Sequence, residues 1–143
     1  MEQFLYDSMY FGVARMHRIV SKVADDAFKS TGMSPTYGLL MMLLDAWKEL
    51  TPSDISSSLD ISPSTTTRFL DKLDRLGYIS RRSEGIYSYV SLSPTGLQKL
   101  PEIKGTFEEL EMKLSRMLTS RVANRIKPQI IDVATTIQEK TDD

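Results

Sequence analysis

The 143-residue sequence predicts a mainly α-helical protein that carries one small β-hairpin. Three observations carry that prediction. Apolar residues recur at three- and four-residue intervals over both ends of the chain. Ser-Pro and Thr-Pro steps punctuate the middle, each pairing a helix cap with a first-turn proline. Between Tyr78 and Leu92 the texture changes to strand-forming residues.

Residues about 3 to 30 place Leu5, Met9, Val13, Met16, Val20, Val23 and Ala27 on one helical stripe. Tyr6, Tyr10 and His17 flank that stripe, and Phe4 and Phe11 fall almost opposite it. A helix apolar on more than one side is covered from more than one side. In so small a protein the expected extra cover is a second subunit. Gly32 ends this helix, and Ser34-Pro35 opens the next, which runs to about Trp47. Thr51-Pro52-Ser53-Asp54 repeats the start signal with an acid at the capping-box position, for a short helix to Leu59. Ser62-Pro63 starts a helix to Leu76, where Gly77 supplies a left-handed stop.

Tyr78, Ile79, Ile86, Tyr87, Tyr89 and Val90 then read as two strands, with Ser83-Glu84-Gly85 as the hairpin tip. Ser93-Pro94 caps a further helical stretch bearing Leu97, Leu100, Ile103, Phe107, Leu110, Leu114 and Met117. Pro101 and Gly105 interrupt it, so a kink or restart is expected near Leu100. A last helix, about Ser120 to Lys140, shows Val122, Ile126, Ile130, Val133 and Ile137, with Pro128 expected to bend it.

Composition removes several function classes. There is no cysteine, which excludes disulfides, thiolate nucleophiles, cysteine-based zinc sites and thiol redox sensing. A single histidine, His17, leaves little from which to build a transition-metal site, and none is expected. The start Met1-Glu2-Gln3-Phe4 lacks a signal-peptide pattern, and the longest strongly apolar run, Tyr37 to Leu44, is too short to cross a bilayer. The expectation is a cytoplasmic protein with no membrane partner. Glycine-rich phosphate loops, nucleophile elbows and metal pairs are missing from the sequence, so neither an enzyme nor a cofactor is expected.

The informative stretch is Thr51 to Leu92. A short helix, a brief turn at Asp60-Ile61 and a longer helix make a helix-turn-helix, and the hairpin behind it makes the unit a winged helix. At about 100° per residue, Thr66, Phe69, Leu70, Leu73 and Gly77 share the inner side of the longer helix. Ser64, Arg68, Asp71 and Arg75 point outward, with Thr65, Thr67 and Lys72 on the flanks. Small hydroxyls let a helix approach the floor of a major groove, and an arginine can reach guanine O6 and N7. The chain carries a net charge of −1, which by itself argues against a nucleic-acid binder. Locally, however, Arg68, Lys72, Arg75, Arg81 and Arg82 face only Asp71 and Asp74 between residues 63 and 82. At the start of the preceding short helix, Thr51 and Ser53 are placed to hydrogen-bond phosphate.

The run Leu50-Thr51-Pro52-Ser53-Asp54-Ile55-Ser56, then Ile61-Ser62-Pro63-Ser64-Thr65-Thr66-Thr67-Arg68, then Leu73-Asp74-Arg75-Leu76-Gly77-Tyr78-Ile79-Ser80-Arg81 resembles the core of the MarR family. The step Leu92-Ser93-Pro94-Thr95-Gly96 is similar to that family's junction after the wing. The long helix in front and the two behind match its architecture, so the resemblance spans essentially the whole chain. It implies a single MarR-like domain over 1–143, with a winged-helix DNA-binding lobe at 34–93 and a helical dimerisation lobe made from 1–31 and 94–143. It further implies a homodimer that binds double-stranded DNA at a near-palindromic operator, as a transcriptional regulator with repression the expected sign. By the same analogy Ser64, Thr65, Thr67 and Arg68 read bases, while Arg75, Arg81 and Arg82 hold the backbone. The tip Ser83-Glu84-Gly85 departs from the family, whose wing usually carries an Asp-x-Arg pattern with an arginine that enters the minor groove.

Many relatives bind small aromatic acids between the DNA and dimer lobes. Arg15, His17, Arg18 and Tyr37 are the matching candidates here for a small aromatic or phenolic effector, although a packed or interfacial role is the simpler reading of His17. The alternative, from a different class of function, is a winged-helix dimer used as a protein-interaction or scaffolding module, toward which the near-neutral charge and the arginine-free tip count slightly.

Overall fold

The computed structural model describes residues 2–142 and contains seven α-helices and one antiparallel hairpin among them. The chain divides into two compact units, Met1–Thr106 and Phe107–Asp143. In the first lie α1 (Gln3–Tyr6), α2 (Met9–Phe28), α3 (Pro35–Trp47), α4 (Pro52–Leu59), α5 (Pro63–Arg75), β1 (Ile79–Glu84), β2 (Tyr87–Leu92) and the start of α6 (Pro94–Leu118). In the second lie the rest of α6 and α7 (Ser120–Thr141). A predominantly helical chain with one small hairpin is the predicted class.

The first helix departs from expectation in one respect. The single helix expected over about 3 to 30 is broken at Asp7 and Ser8, because the Ser8 hydroxyl accepts a hydrogen bond from the Phe11 amide at 3.1 Å and caps α2. A 3-10 turn, Lys29–Thr31, follows α2 and ends at Gly32, whose φ of 75° is the expected left-handed stop. Thr31 is buried there and secures the turn by donating from its hydroxyl to the Phe28 carbonyl at 2.6 Å.

The core of the first unit gathers one face from each element. In α3, Tyr37, Leu40, Met41 and Leu44 are buried at i, i+3, i+4 and i+7, the spacing of a single helical face. Phe28 from α2, Ile55 from α4, Leu70 and Leu73 from α5, Val90 from β2 and Ile103 from α6 complete it. Each such side chain taken from water contributes about 1.5–3 kcal/mol. The core holds α5 by its inner residues and leaves the outer face unobstructed.

The hairpin pairs Ile79 with Leu92 and continues to Glu84 with Tyr87. Ser83 and Glu84 therefore belong to β1, and the tip is the two-residue turn Gly85-Ile86, not Ser83-Glu84-Gly85 as expected. Gly85 takes φ 60° and Ile86 does not take a positive φ, the sign pattern of a type II′ turn, whose twist matches that of the strands it joins. At the other end Leu50 forms an antiparallel bridge to Val90, with hydrogen bonds of 3.0 and 2.8 Å. That bridge ties the segment between α3 and α4 to the hairpin.

The root of the hairpin is closed by Ser93, which donates to the Gly77 carbonyl at 2.5 Å and accepts from the Gly96 amide at 3.0 Å. Gly96 lies against the Tyr78 carbonyl so closely that a Cβ there would collide with backbone. Only glycine allows α6 to begin at this point. Pro101 neither splits nor restarts α6, which runs unbroken from Pro94 to Leu118.

In the second unit Leu110 and Ala123 are buried, and an ion pair joins Lys127 to Glu111. Pro128 lies inside α7, which continues to Thr141. Much of the apolar surface of this unit is open: Met112, Met117, Leu118, Ile130, Ile131, Val133 and Ile137 are all exposed. The same holds on α1 and α2 in the first unit, where Phe4, Met9, Tyr10, Val13 and Ile19 are exposed. Among the described residues no helix is long and apolar enough to cross a membrane.

Candidate nucleic-acid interface

The helix-turn-helix is built by local hydrogen bonds that its sequence specifies. Thr51 and Asp54 form a reciprocal capping box at the start of α4, the Asp54 amide donating to the Thr51 hydroxyl at 3.2 Å and the Thr51 amide to the Asp54 carboxylate at 3.0 Å. The Thr51 hydroxyl also donates to that carboxylate at 2.7 Å. These bonds, the hydroxyl first and the amide second, hold the Asp54 carboxyl below its ordinary range. Asp60 takes the left-handed conformation in the turn, with φ 51°, a geometry that aspartate tolerates better than most residues. Ser62 then caps α5, accepting from the Thr65 amide at 3.1 Å.

The consecutive threonines divide by role. Thr66 is fully buried; its hydroxyl donates to the Ser62 carbonyl at 3.1 Å and lies 2.7 Å from the Ser56 hydroxyl, tying α5 to α4. Thr67 is exposed and bonds back to the Pro63 carbonyl at 3.0 Å. Thr65, half-buried, accepts from the Ser62 hydroxyl at 2.8 Å, and exposed Ser64 sits 3.1 Å from it. The outer face of α5 thus presents Ser64, Thr67, Arg68, Asp71 and Arg75, with half-buried Lys72 at its side.

Arg68, Lys72 and Arg75 form no ion pair among the described residues. The guanidinium of Arg68 instead lies 5.6 Å from the centre of the Phe69 ring, and the Lys72 ammonium 4.8 Å from that of Tyr37. Phe69 and Tyr37 are themselves stacked, with ring centres 4.3 Å apart, so two cations of α5 rest on one aromatic pair that bridges α3 and α5. Tyr37 as a partner of α5 is beyond the sequence, since nothing in the spacing of two distant aromatics shows that they meet.

The wing arginines are differently placed. Arg81 binds Asp71 at 3.1 Å and Asp74 at 3.6 Å, both on α5. Arg82 grips Glu49 with two bonds, of 2.6 and 3.1 Å, and Glu84 with a third, of 2.6 Å. It also lies 4.6 Å from the centre of the Tyr89 ring. The bond to Arg82 pulls the Glu49 carboxyl below its ordinary range, and Glu49 and then Glu84 raise the Arg82 guanidinium further still. The acids on the outer face of α5 are thus engaged by the wing, which leaves the helix's own cations unneutralised.

Of the remaining candidates, Ser53 is exposed in the first turn of α4, while the hydroxyl of Thr51 is held in the cap. Arg15, His17 and Arg18 are exposed on α2, whereas Tyr37 is buried against Phe69. Among the described residues no hydrogen bond or ring contact joins Arg15, His17 or Arg18 to Tyr37, and no cluster of side chains has the makings of a metal site.

Residues 33–84 match the model of the MarR family. No curated protein sequence matches the chain. Among solved structures, the MepR–DNA complex of S. aureus superposes with a TM-score of 0.80 at 18% identity, over 91% of this chain and 98% of that one. The transcriptional repressor CouR bound to a 23-mer DNA duplex superposes with a TM-score of 0.85 at 18% identity, over 91% and 94%. CouR bound to p-coumaroyl-CoA gives 0.83, at the same identity and coverage. At such identities the likeness is one of fold.

Proposed function

We propose that this chain, a MarR-family winged-helix protein, is a transcriptional regulator that binds operator DNA as a homodimer. One observation carries the reading: α5 offers Ser64, Thr67, Arg68 and Arg75 to solvent, while Thr66, Leu70 and Leu73 seat its other side. A rigidly seated helix with small hydroxyls and uncompensated cations outward is suited to a major groove. In this reading Ser64, Thr65, Thr67 and Arg68 meet base edges, Arg75 and Ser53 meet phosphate, and Arg81 mainly orients the wing against α5. The solved DNA complexes of MepR and CouR support the same use of the fold.

The homodimer is supported by the open apolar faces of α1–α2 and of α6–α7. Side chains such as Phe4, Tyr10, Ile131 and Ile137 are more than half exposed, more apolar surface than a solitary small protein commonly leaves in water. Two subunits related by a two-fold axis present their α5 helices about 34 Å apart, one turn of duplex, which calls for a near-palindromic operator. The regulator acts in the cytoplasm, where that DNA lies, and represses. A small aromatic or phenolic molecule lowers occupancy by favouring a dimer with a different α5 spacing. The CouR complex with p-coumaroyl-CoA supports an effector of this class, and Arg15, His17, Arg18 and Tyr37 remain its candidate contacts.

Titration of labelled DNA from the upstream region of its own gene, followed by fluorescence polarisation across salt concentrations, tests the proposal. Binding that weakens steeply with salt, through counterion release, is the expected result. Indifference to DNA, together with a stable dimer, would instead favour a protein-interaction module.

A further inference from the structure

Arg82 is the one cation of this wing that no residue of α5 holds, yet it is more heavily engaged than any other. Its guanidinium has five N–H donors. Three are taken: Nε and Nη2 by the two oxygens of Glu49, and Nη1 by Glu84. One face of the group lies over the Tyr89 ring. Two carboxylates around one guanidinium leave a local charge of −1, which repels a phosphate. Glu49 is brought to this place by its neighbour Leu50, whose bridge to Val90 sets the chain between α3 and α4 beside the wing. Glu84 is brought by the short tip, which leaves it at the end of β1 opposite Tyr87.

From this geometry, and resting on the DNA-binding reading above, we propose that Glu49, with Glu84, withholds Arg82 from the DNA backbone. The dimer then draws its affinity from α5, and the wing lies beside the duplex without a cationic contact. Glu49 is thus a positioning residue: it acts on DNA only through what it holds. An isolated exposed ion pair would be too weak to do this. A bidentate pair joined to a second carboxylate and an aromatic face is pre-organised, and a single phosphate has to displace both acids at once.

The test compares four full-length proteins: wild type, Arg82→Ala, the double variant Glu49→Gln/Glu84→Gln, and the triple variant combining all three changes. Each is titrated with operator DNA over a range of salt. Wild type and Arg82→Ala are expected to share the same salt slope, with at most a small loss of affinity from the two carboxylates left bare in the variant. The double variant is expected to bind more tightly, its slope steeper by about 1.8 for the two phosphates gained, one in each subunit of the dimer. That gain should vanish in the triple variant. A shallower salt slope for Arg82→Ala would overturn the proposal, since Arg82 would already be gripping phosphate. A gain that survives in the triple variant would overturn it too, as mere removal of negative charge. So would a double variant that gains nothing.

A readout without DNA keeps this failure apart from failure of the regulator reading. The Arg82 Nε–H resonance should be protected from solvent exchange in wild type and lose that protection on Glu49→Gln, while the fold is unchanged. If the protection is present but none of the proteins binds DNA, the regulator reading falls, and the withholding role falls with it. If wild type binds DNA and the protection is missing, only the role of Glu49 falls.

Discussion

Helix α5 and the wing stand side by side, and each contributes basic residues to the same surface, yet their charges differ in availability. Arg68, Lys72 and Arg75 of α5 have no carboxylate partner among the described residues, while Arg81 and Arg82 of β1 each face two. The acids nearest in sequence to the α5 cations, Asp71 and Asp74, are turned to the wing. Counting charges along the chain therefore misplaces the positive surface: it belongs to the helix. The wing in exchange gains rigidity, since it is pinned to α5 by Arg81 and to the segment before α4 by Arg82 and Leu50.

The largest effect should come from the root of the wing. Gly96→Ala places a methyl group against the Tyr78 carbonyl, where backbone has to move, at a cost toward the upper end of about 1–3 kcal/mol. Urea denaturation should show the loss, and a variant as stable as wild type would mean that the root is slack. On the helix side, Arg68→Ala should cost about 1–3 kcal/mol in operator binding and relax the preference for one base, with stability unchanged. Unaltered affinity for the best site would remove Arg68 from the reading residues.

A smaller change tests how firmly α5 is seated. Thr66→Val keeps the shape but loses the bond to Ser56, for a destabilisation of about 1 kcal/mol in urea. Acid should act on the start of α4 and on the segment that holds the wing. Asp54 and Glu49 have carboxyl groups held below their ordinary range by Thr51 and Arg82 respectively. Their contribution to stability is therefore present above the ordinary carboxylate range and is lost as pH falls through the depressed values. Asp54→Asn should lower stability at neutral pH and matter progressively less in acid. The smallest effect is on the wing's outer cation: Arg82→Ala should leave the salt slope of operator binding where it was and lower affinity less than Arg68→Ala measured by the same titration.

Much of this architecture was legible beforehand because its signals are local. Ser62, Thr51 and Asp54 act within one helical turn, so their caps could be read from spacing alone. Gly32 and Gly77 adopt the left-handed conformations expected of them, and the inner face of α5 follows from its period. The boundaries that were misjudged depend on competition between neighbours. Ser8 interrupts a stretch whose apolar stripe runs straight past it, and strand pairing rather than residue type sets the tip at Gly85-Ile86. Among the site residues, which ones face outward on α5 was readable; which cations there would be neutralised was not.

The sequence by itself determined where helices start and stop, which face of α5 is apolar, and that a hairpin follows it, since each depends on residues a few positions apart. Tertiary structure alone decided that Glu49 would meet Arg82, that Tyr37 would support Lys72, and that Asp71 and Asp74 would turn to Arg81. Those contacts join residues on different elements, and charge interacts across whatever distance the fold leaves. Periodicity shows which side of an element is outward; only packing shows what waits there.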